Sequence, residues 1–93
     1  MLYGPRFVVK DPSAVLDYGF DLEDWLADGD SLESSYWVVD DGLTLASYSS
    51  IGTQAIAWLS GGTAGTRYSC VCHFVTAEGR EDQRTLIVSV EEP

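Results

Sequence analysis

Positive charge is scarce in this 93-residue sequence: five Lys and Arg stand against fifteen Asp and Glu, a net charge of −10. A duplex and an anionic membrane surface both repel such a field, so neither nucleic acid nor membrane is expected as a partner. Cysteine is rarer still. Cys70 and Cys72 are separated by one residue, and on a strand they share a face in poor geometry for bonding to each other, so a disulfide scaffold is excluded. No apolar run approaches the ~20 residues that span a bilayer. Residues 1–10 contain no basic start followed by an apolar stretch of about 7–15 residues, which argues against a secretory leader and for synthesis in a cytoplasm.

Catalytic equipment is also missing. His73 is the sole histidine, and its neighbour Cys72 projects to the opposite face of the same strand, so a Cys-His nucleophile pair would need a distorted backbone. His73 reads as an exposed strand residue. Cys70 and Cys72 lack the further Cys or His partners that a zinc site requires and read as small buried apolar residues. Neither G-x-S-x-G nor H-E-x-x-H occurs, and the loop Ser60-Gly61-Gly62-Thr63-Ala64-Gly65 lacks the lysine of a phosphate loop. No catalytic residue, cofactor, metal or small-molecule substrate is expected.

What remains is material for one domain over residues 1–93, since 45% of the residues are hydrophobic and a second core would lack substance. Short runs rich in Val, Ile, Thr, Tyr, Trp and Phe recur between Gly, Asp, Ser and Pro, the signature of an all-β chain. Strands are predicted at Phe7–Lys10, Ala14–Phe20, Leu32–Val39, Leu43–Tyr48, Thr53–Leu59, Arg67–Thr76 and Arg84–Glu91. The last two alternate strictly around the turn Ala77-Glu78-Gly79-Arg80 and form a hairpin. Tyr68, Cys70, Cys72 and Phe74 on one strand, with Leu86, Val88 and Val90 on the other, should face the core, and Trp37 should sit at its centre. Asp21 to Asp30 reads as a connection with one helical turn, pinned by Trp25.

Seven short strands in this length predict an immunoglobulin-like antiparallel β-sandwich. Tyr68 follows a glycine turn and stands two residues before Cys70, the spacing of a tyrosine corner, in which the phenol bonds back to upstream backbone. The partner cysteine of an antibody-type bridge is absent. Packing alone must therefore join the sheets.

The charge is local. From Asp11 to Thr66 there are ten acids and no Lys or Arg. Asp21, Glu23, Asp24, Asp28 and Asp30 could offer oxygens to Ca²⁺, but no register fits a calcium loop: counted from Asp28, Leu32 takes position five and Glu33 the position that requires Gly. A solvated acidic edge or a docking surface for a basic partner is favoured. A glycan-binding or receptor-binding sandwich, calcium-assisted or not, is the alternative, with Trp25, Trp58 and Tyr48 as its aromatic contacts.

Four stretches carry a resemblance. They are Lys10-Asp11-Pro12-Ser13-Ala14-Val15-Leu16-Asp17-Tyr18-Gly19-Phe20-Asp21, Trp25-Leu26-Ala27-Asp28-Gly29-Asp30, Trp58 through Tyr68, and Thr76 through Thr85. In that order, spanning Lys10 to Val90, the sequence resembles the phage fiber to tail adaptors, small structural proteins of tailed bacteriophages. The resemblance implies a non-enzymatic virion component with an immunoglobulin-like fold, arranged in several copies in a ring around the tail or neck, joining tail fibers to it. On that basis Asp21, Trp25, Leu26, Asp28 and Asp30 are expected to form one contact region. Glu78, Gly79 and Arg80 at the hairpin tip should form another, and the opposite end of the sandwich or a free strand edge should hold the fiber.

Overall fold

The computed structural model describes residues 6–92. Seven strands are formed: β1 (Arg6–Lys10), β2 (Leu16–Asp21), β3 (Leu32–Val39), β4 (Leu43–Ile51), β5 (Gln54–Gly61), β6 (Thr66–Thr76) and β7 (Glu81–Val90). They make a four-stranded sheet of order β1-β7-β6-β3 and a three-stranded sheet of order β2-β5-β4. The architecture is the expected all-β sandwich. Of the segment read for a leader, residues 1–5 lie outside the described residues.

Alternation builds the core. Tyr68, Cys70, Cys72 and Phe74 of β6 are buried, as are Leu86, Val88 and Val90 of β7. Facing them are Phe20 of β2 and Ala55, Ala57 and Leu59 of β5, with Trp37 of β3 between the sheets, stacked on Phe20 at 6.0 Å. Both thiols are free, and burial pushes each up to about 12, the charge of Asp40 adding to the effect at Cys70. Almost no reactive thiolate forms near neutrality. Their role is packing.

The tyrosine corner is present. The Tyr68 phenol oxygen accepts the N–H of Thr63 at 2.9 Å, which fixes the β5–β6 connection against β6.

Six strands, in the orders β2-β5-β4 and β7-β6-β3, reproduce the B-E-D and G-F-C orders of an immunoglobulin sandwich. The first strand departs from the constant-type order. β1 lies on the four-stranded sheet and pairs with β7 in parallel, from Arg6↔Leu86 to Lys10↔Val90, the one parallel pairing among the described strands. Alternation along β1 then turns Val8 and Lys10 inward, and Lys10 is only 1% exposed. Its ammonium donates to the carbonyls of Gly61 at 2.7 Å and Asp11 at 2.9 Å, so a cation closes one end of the sandwich by joining β1 to the end of β5. Burial lowers the Lys10 pKa, and the charge of Asp11 offsets part of that shift.

Two strands run longer than their apolar content suggests. β4 continues through Ser49 and Ser50 to Ile51, and β7 begins at Glu81, because backbone pairing with β5 and β6 carries the polar residues along. Side-chain preference is a weak constraint where a neighbouring strand supplies the hydrogen bonds.

Candidate functional site

Three connections gather at one end of the sandwich: residues 22–31 between β2 and β3, Gly52-Thr53 between β4 and β5, and residues 77–80 between β6 and β7. Buried Leu22 and Leu32 anchor the first of them. Their N–H groups donate to Thr53 and Gly52 carbonyls at 2.8 and 2.9 Å, which fastens both ends of the acidic connection to the β4–β5 turn. Between them the Leu22 carbonyl accepts the N–H groups of Trp25 and Leu26, the expected single turn.

The carboxylates in this connection divide into two kinds. Asp21 accepts the Glu23 N–H at 3.0 Å and the Thr53 hydroxyl at 2.9 Å, and these bonds hold its pKa below the ordinary value. Asp30 is buried, with one oxygen accepting the N–H of Ser31 at 2.9 Å and of Glu78 at 3.1 Å. Burial pushes the Asp30 carboxyl up, but the Thr76 hydroxyl, the two N–H groups and the Arg80 charge together outweigh it and leave the group below 3.8. Glu23, Asp24 and Asp28, by contrast, are exposed. Asp21 and Asp30 shape the loop, and the other three stand at the surface.

Trp25 is the hinge between loop and hairpin. Its ring meets Phe74 edge-on at 5.2 Å, and the Arg80 guanidinium lies over it at 4.1 Å. Arg84 approaches the same indole at 5.6 Å and pairs with Asp82 at 3.0 Å. The Ala77 N–H also donates to the Ser31 carbonyl at 2.9 Å.

The two groups of residues expected from sequence to make separate contacts are thus joined to each other. The hairpin tip with Glu78, Gly79 and Arg80 is locked to the segment holding Trp25, Leu26 and Asp30, rather than standing apart from it. The surface presented consists of Glu23, Asp24, Asp28 and Glu78 with Arg80 among them. Glu23 and Asp24 belong to it as much as Asp28 does, and their place in a polar stretch between two buried leucines is the signal that marks them.

The aromatic set Trp25, Trp58 and Tyr48 is not brought together. Trp25 is covered by Arg80 and Phe74, while Trp58 and Tyr48 point to opposite faces of the three-stranded sheet, since Tyr48 pairs with buried Ala57 next to Trp58. His73 is half-buried and stacked on Tyr36 at 4.6 Å. Among the described residues no three His, Cys, Asp or Glu side chains are grouped to hold a metal ion.

Asp30 makes the loop-to-hairpin clip sensitive to acid. A carboxyl whose folded pKa is depressed contributes stability that is complete above its unfolded value and is lost as pH falls through the folded one. Protection of the Glu78 amide against hydrogen exchange is expected to drop below pH ~4 while Cys70 in β6 stays protected. In Asp30→Asn the Glu78 amide should be weakly protected at all pH values. Glu78 protection that persists unchanged to pH ~2 would show that the clip does not depend on the ionised carboxylate.

A protein-family model described as Gp77, podophage GP4 fiber-tail adaptor protein gp77, matches residues 10–89. No curated protein matches the sequence.

Proposed function

We propose, on the premise that the chain belongs to the podophage GP4 fiber-tail adaptor family, that it is a non-enzymatic virion component that joins tail fibers to the tail or neck by protein–protein docking. Several copies would stand around the tail axis. The observation that carries this reading is the composite acidic end. Its backbone is fixed by the Asp21 and Asp30 bonds, so Glu23, Asp24, Asp28 and Glu78 are presented on a prearranged surface. A rigid acidic surface favours a basic partner by steering its approach and by rejecting acidic competitors.

The partner of this end is then a basic surface on the tail or portal. Raising salt from ~0.1 M to ~1 M shortens the screening length from about 10 Å to about 3 Å, so capture of purified tail and portal proteins should weaken steeply. The triple reversal Glu23→Lys, Asp24→Lys, Asp28→Lys should reduce affinity by about tenfold or more, equivalent to ~1.4 kcal/mol, at low salt. All three side chains are exposed, so the melting temperature should hold. Binding indifferent to both salt and reversal would refute the acidic docking face.

A further inference from the structure

A two-sheet sandwich has four edges, and three of these are blocked. β1 is five residues long and carries Arg6 and Lys10. β2 holds Asp17 and Asp21, and the Arg6 guanidinium occupies its Gly19 carbonyl at 2.6 Å. β3 contains Glu33 and an irregular register between Leu32 and Ser34. Short length, charge and bulges are the devices that keep sheet edges from pairing.

The fourth edge lacks most of them. β4 has nine residues with no charge, proline or glycine. No Asp, Glu, Lys or Arg stands between Asp41 and Arg67, in a chain whose charged residues make up 22%. A register shift between Leu45 and Ser47 interrupts only its first half. From Ser47 to Ile51 the pairing with β5 is regular, and Tyr48 and Ile51 are 48% and 67% exposed.

The turn sets which backbone groups are free. Ile51 pairs with Gln54 across a two-residue loop, and Gly52 has φ +60° while no non-glycine residue has positive φ, as in a type II′ hairpin. The Ile51–Gln54 pair is then hydrogen-bonded, and so by alternation are Ser49–Ile56 and Ser47–Trp58. Tyr48 and Ser50 consequently direct their N–H and C=O groups away from β5. Among the described residues no strand is hydrogen-bonded on that side, although β3 of the other sheet packs beside β4 and its Leu32 N–H donates to the Gly52 carbonyl at 2.9 Å where β4 ends.

We infer that the Ser47–Ile51 half of β4 is an acceptor edge for an extended segment of a partner virion protein, which adds as a fourth strand to the three-stranded sheet. The backbone groups admit a β-strand and little else. Charge narrows the partner further: Asp40 and Asp41 stand at the start of β4 and the chain as a whole carries −10, so the entering segment has no Asp or Glu and carries Lys or Arg at the end beside those two aspartates. A second copy of this chain would bring another −10 and is disfavoured. The inference rests on the adaptor reading, and it divides the labour: the acidic end meets a basic surface, and the neutral β4 edge holds a strand.

Two variants test it. Ser50→Pro removes an N–H that points away from β5 and so leaves the chain's own ladder intact, a placement edge strands tolerate. Tyr48→Lys places a lysine on the inward side of the edge, harmless while the edge is open and costly once a strand covers it. The probes are fluorescein-labelled peptides of about 12 residues tiled through the fiber and tail proteins of the same phage, read by anisotropy. At least one tile without Asp or Glu is expected to bind the wild type, and each variant should weaken it by about tenfold or more, ~1.4 kcal/mol, with melting temperatures retained. Absence of a binding tile, equal binding by wild type and both variants, or a dimer of the chain paired through β4 would each overturn the inference. Pull-down with the intact fiber and tail proteins separates the two levels. If wild type and variants capture them equally, only the edge inference fails; if wild type captures neither, the adaptor reading fails with it.

Discussion

Trp37→Ala is expected to lower the urea midpoint of unfolding by about 2–3 M, taking a cost of about 3–5 kcal/mol for a buried tryptophan and a slope of about 1.5 kcal/mol/M. Trp37 is 5% exposed on β3, and its ring stacks on Phe20 of β2, so a single side chain couples the two sheets. No disulfide does that work instead. The whole stability of a chain this size is of order 5–14 kcal/mol, so the variant loses between about a fifth and all of it. Trp37→Phe separates packing from polarity. The indole Nε1 is buried with no hydrogen-bond partner among the described residues, so phenylalanine forfeits no bond and should cost clearly less than alanine. Equal midpoint shifts for the two variants would mean that the ring does not join the sheets.

How much of this was legible beforehand depends on the range of the interaction. Alternation is local, and it located the buried rows of β6 and β7, the central Trp37 and the tyrosine corner at Tyr68. Pairing across the chain is not local. Nothing in Arg6-Phe7-Val8-Val9-Lys10 names β7 as its partner or parallel as its direction, and without that partner the inward turn of Lys10 could not be foreseen. The meeting of Trp25 with Arg80 has an intermediate status. Successive strands reverse direction, so the connections after β2, β4 and β6 fall at one end of the sandwich, and counting passages would have placed residues 22–31 beside residues 77–80. The specific clip of Asp30 to the Glu78 N–H was beyond reach, because an aspartate in an acidic run looks the same whether it is solvated like Asp28 or buried.

The openness of β4 shows a related limit. A run of uncharged serines reads as turn material, since serine competes for backbone bonds and favours loops. In the folded chain Ser49 and Ser50 are strand residues because β5 supplies regular partners. The strand ends where Gly52 permits a two-residue turn, not where the apolar content ends. Polarity and strand length were thus decoupled, and the exposed edge became visible only with the register.

Gly19→Ala is the second variant with a large expected effect, and here the sign itself is the test. Glycine inside a strand normally weakens it, and replacing it with alanine at a compatible backbone stabilises by about 0.4–1 kcal/mol through the unfolded chain. Gly19 has no positive φ to prevent this gain. Space prevents it: a Cβ built there would fall on the carbonyl oxygen of Ala55 and crowd the Ile56 Cα at 3.1 Å. Both are backbone atoms of β5, the only strand that pairs with β2 among the described residues, so no rotamer change relieves the clash and the two strands must separate. Separation would also displace Phe20 from Trp37 and break the Arg6 bond to the Gly19 carbonyl. Overpacking of this kind costs about 1–3 kcal/mol and more when the backbone has to move, which overrides the entropic gain. Asp17→Ala, at an exposed position on the same strand, serves as the control and should change stability by no more than about 0.5 kcal/mol. A Gly19→Ala protein as stable as the Asp17→Ala control would show that β2 lies farther from β5 than the observed register places it, and the packing of Phe20 against Trp37 would have to be redrawn with it.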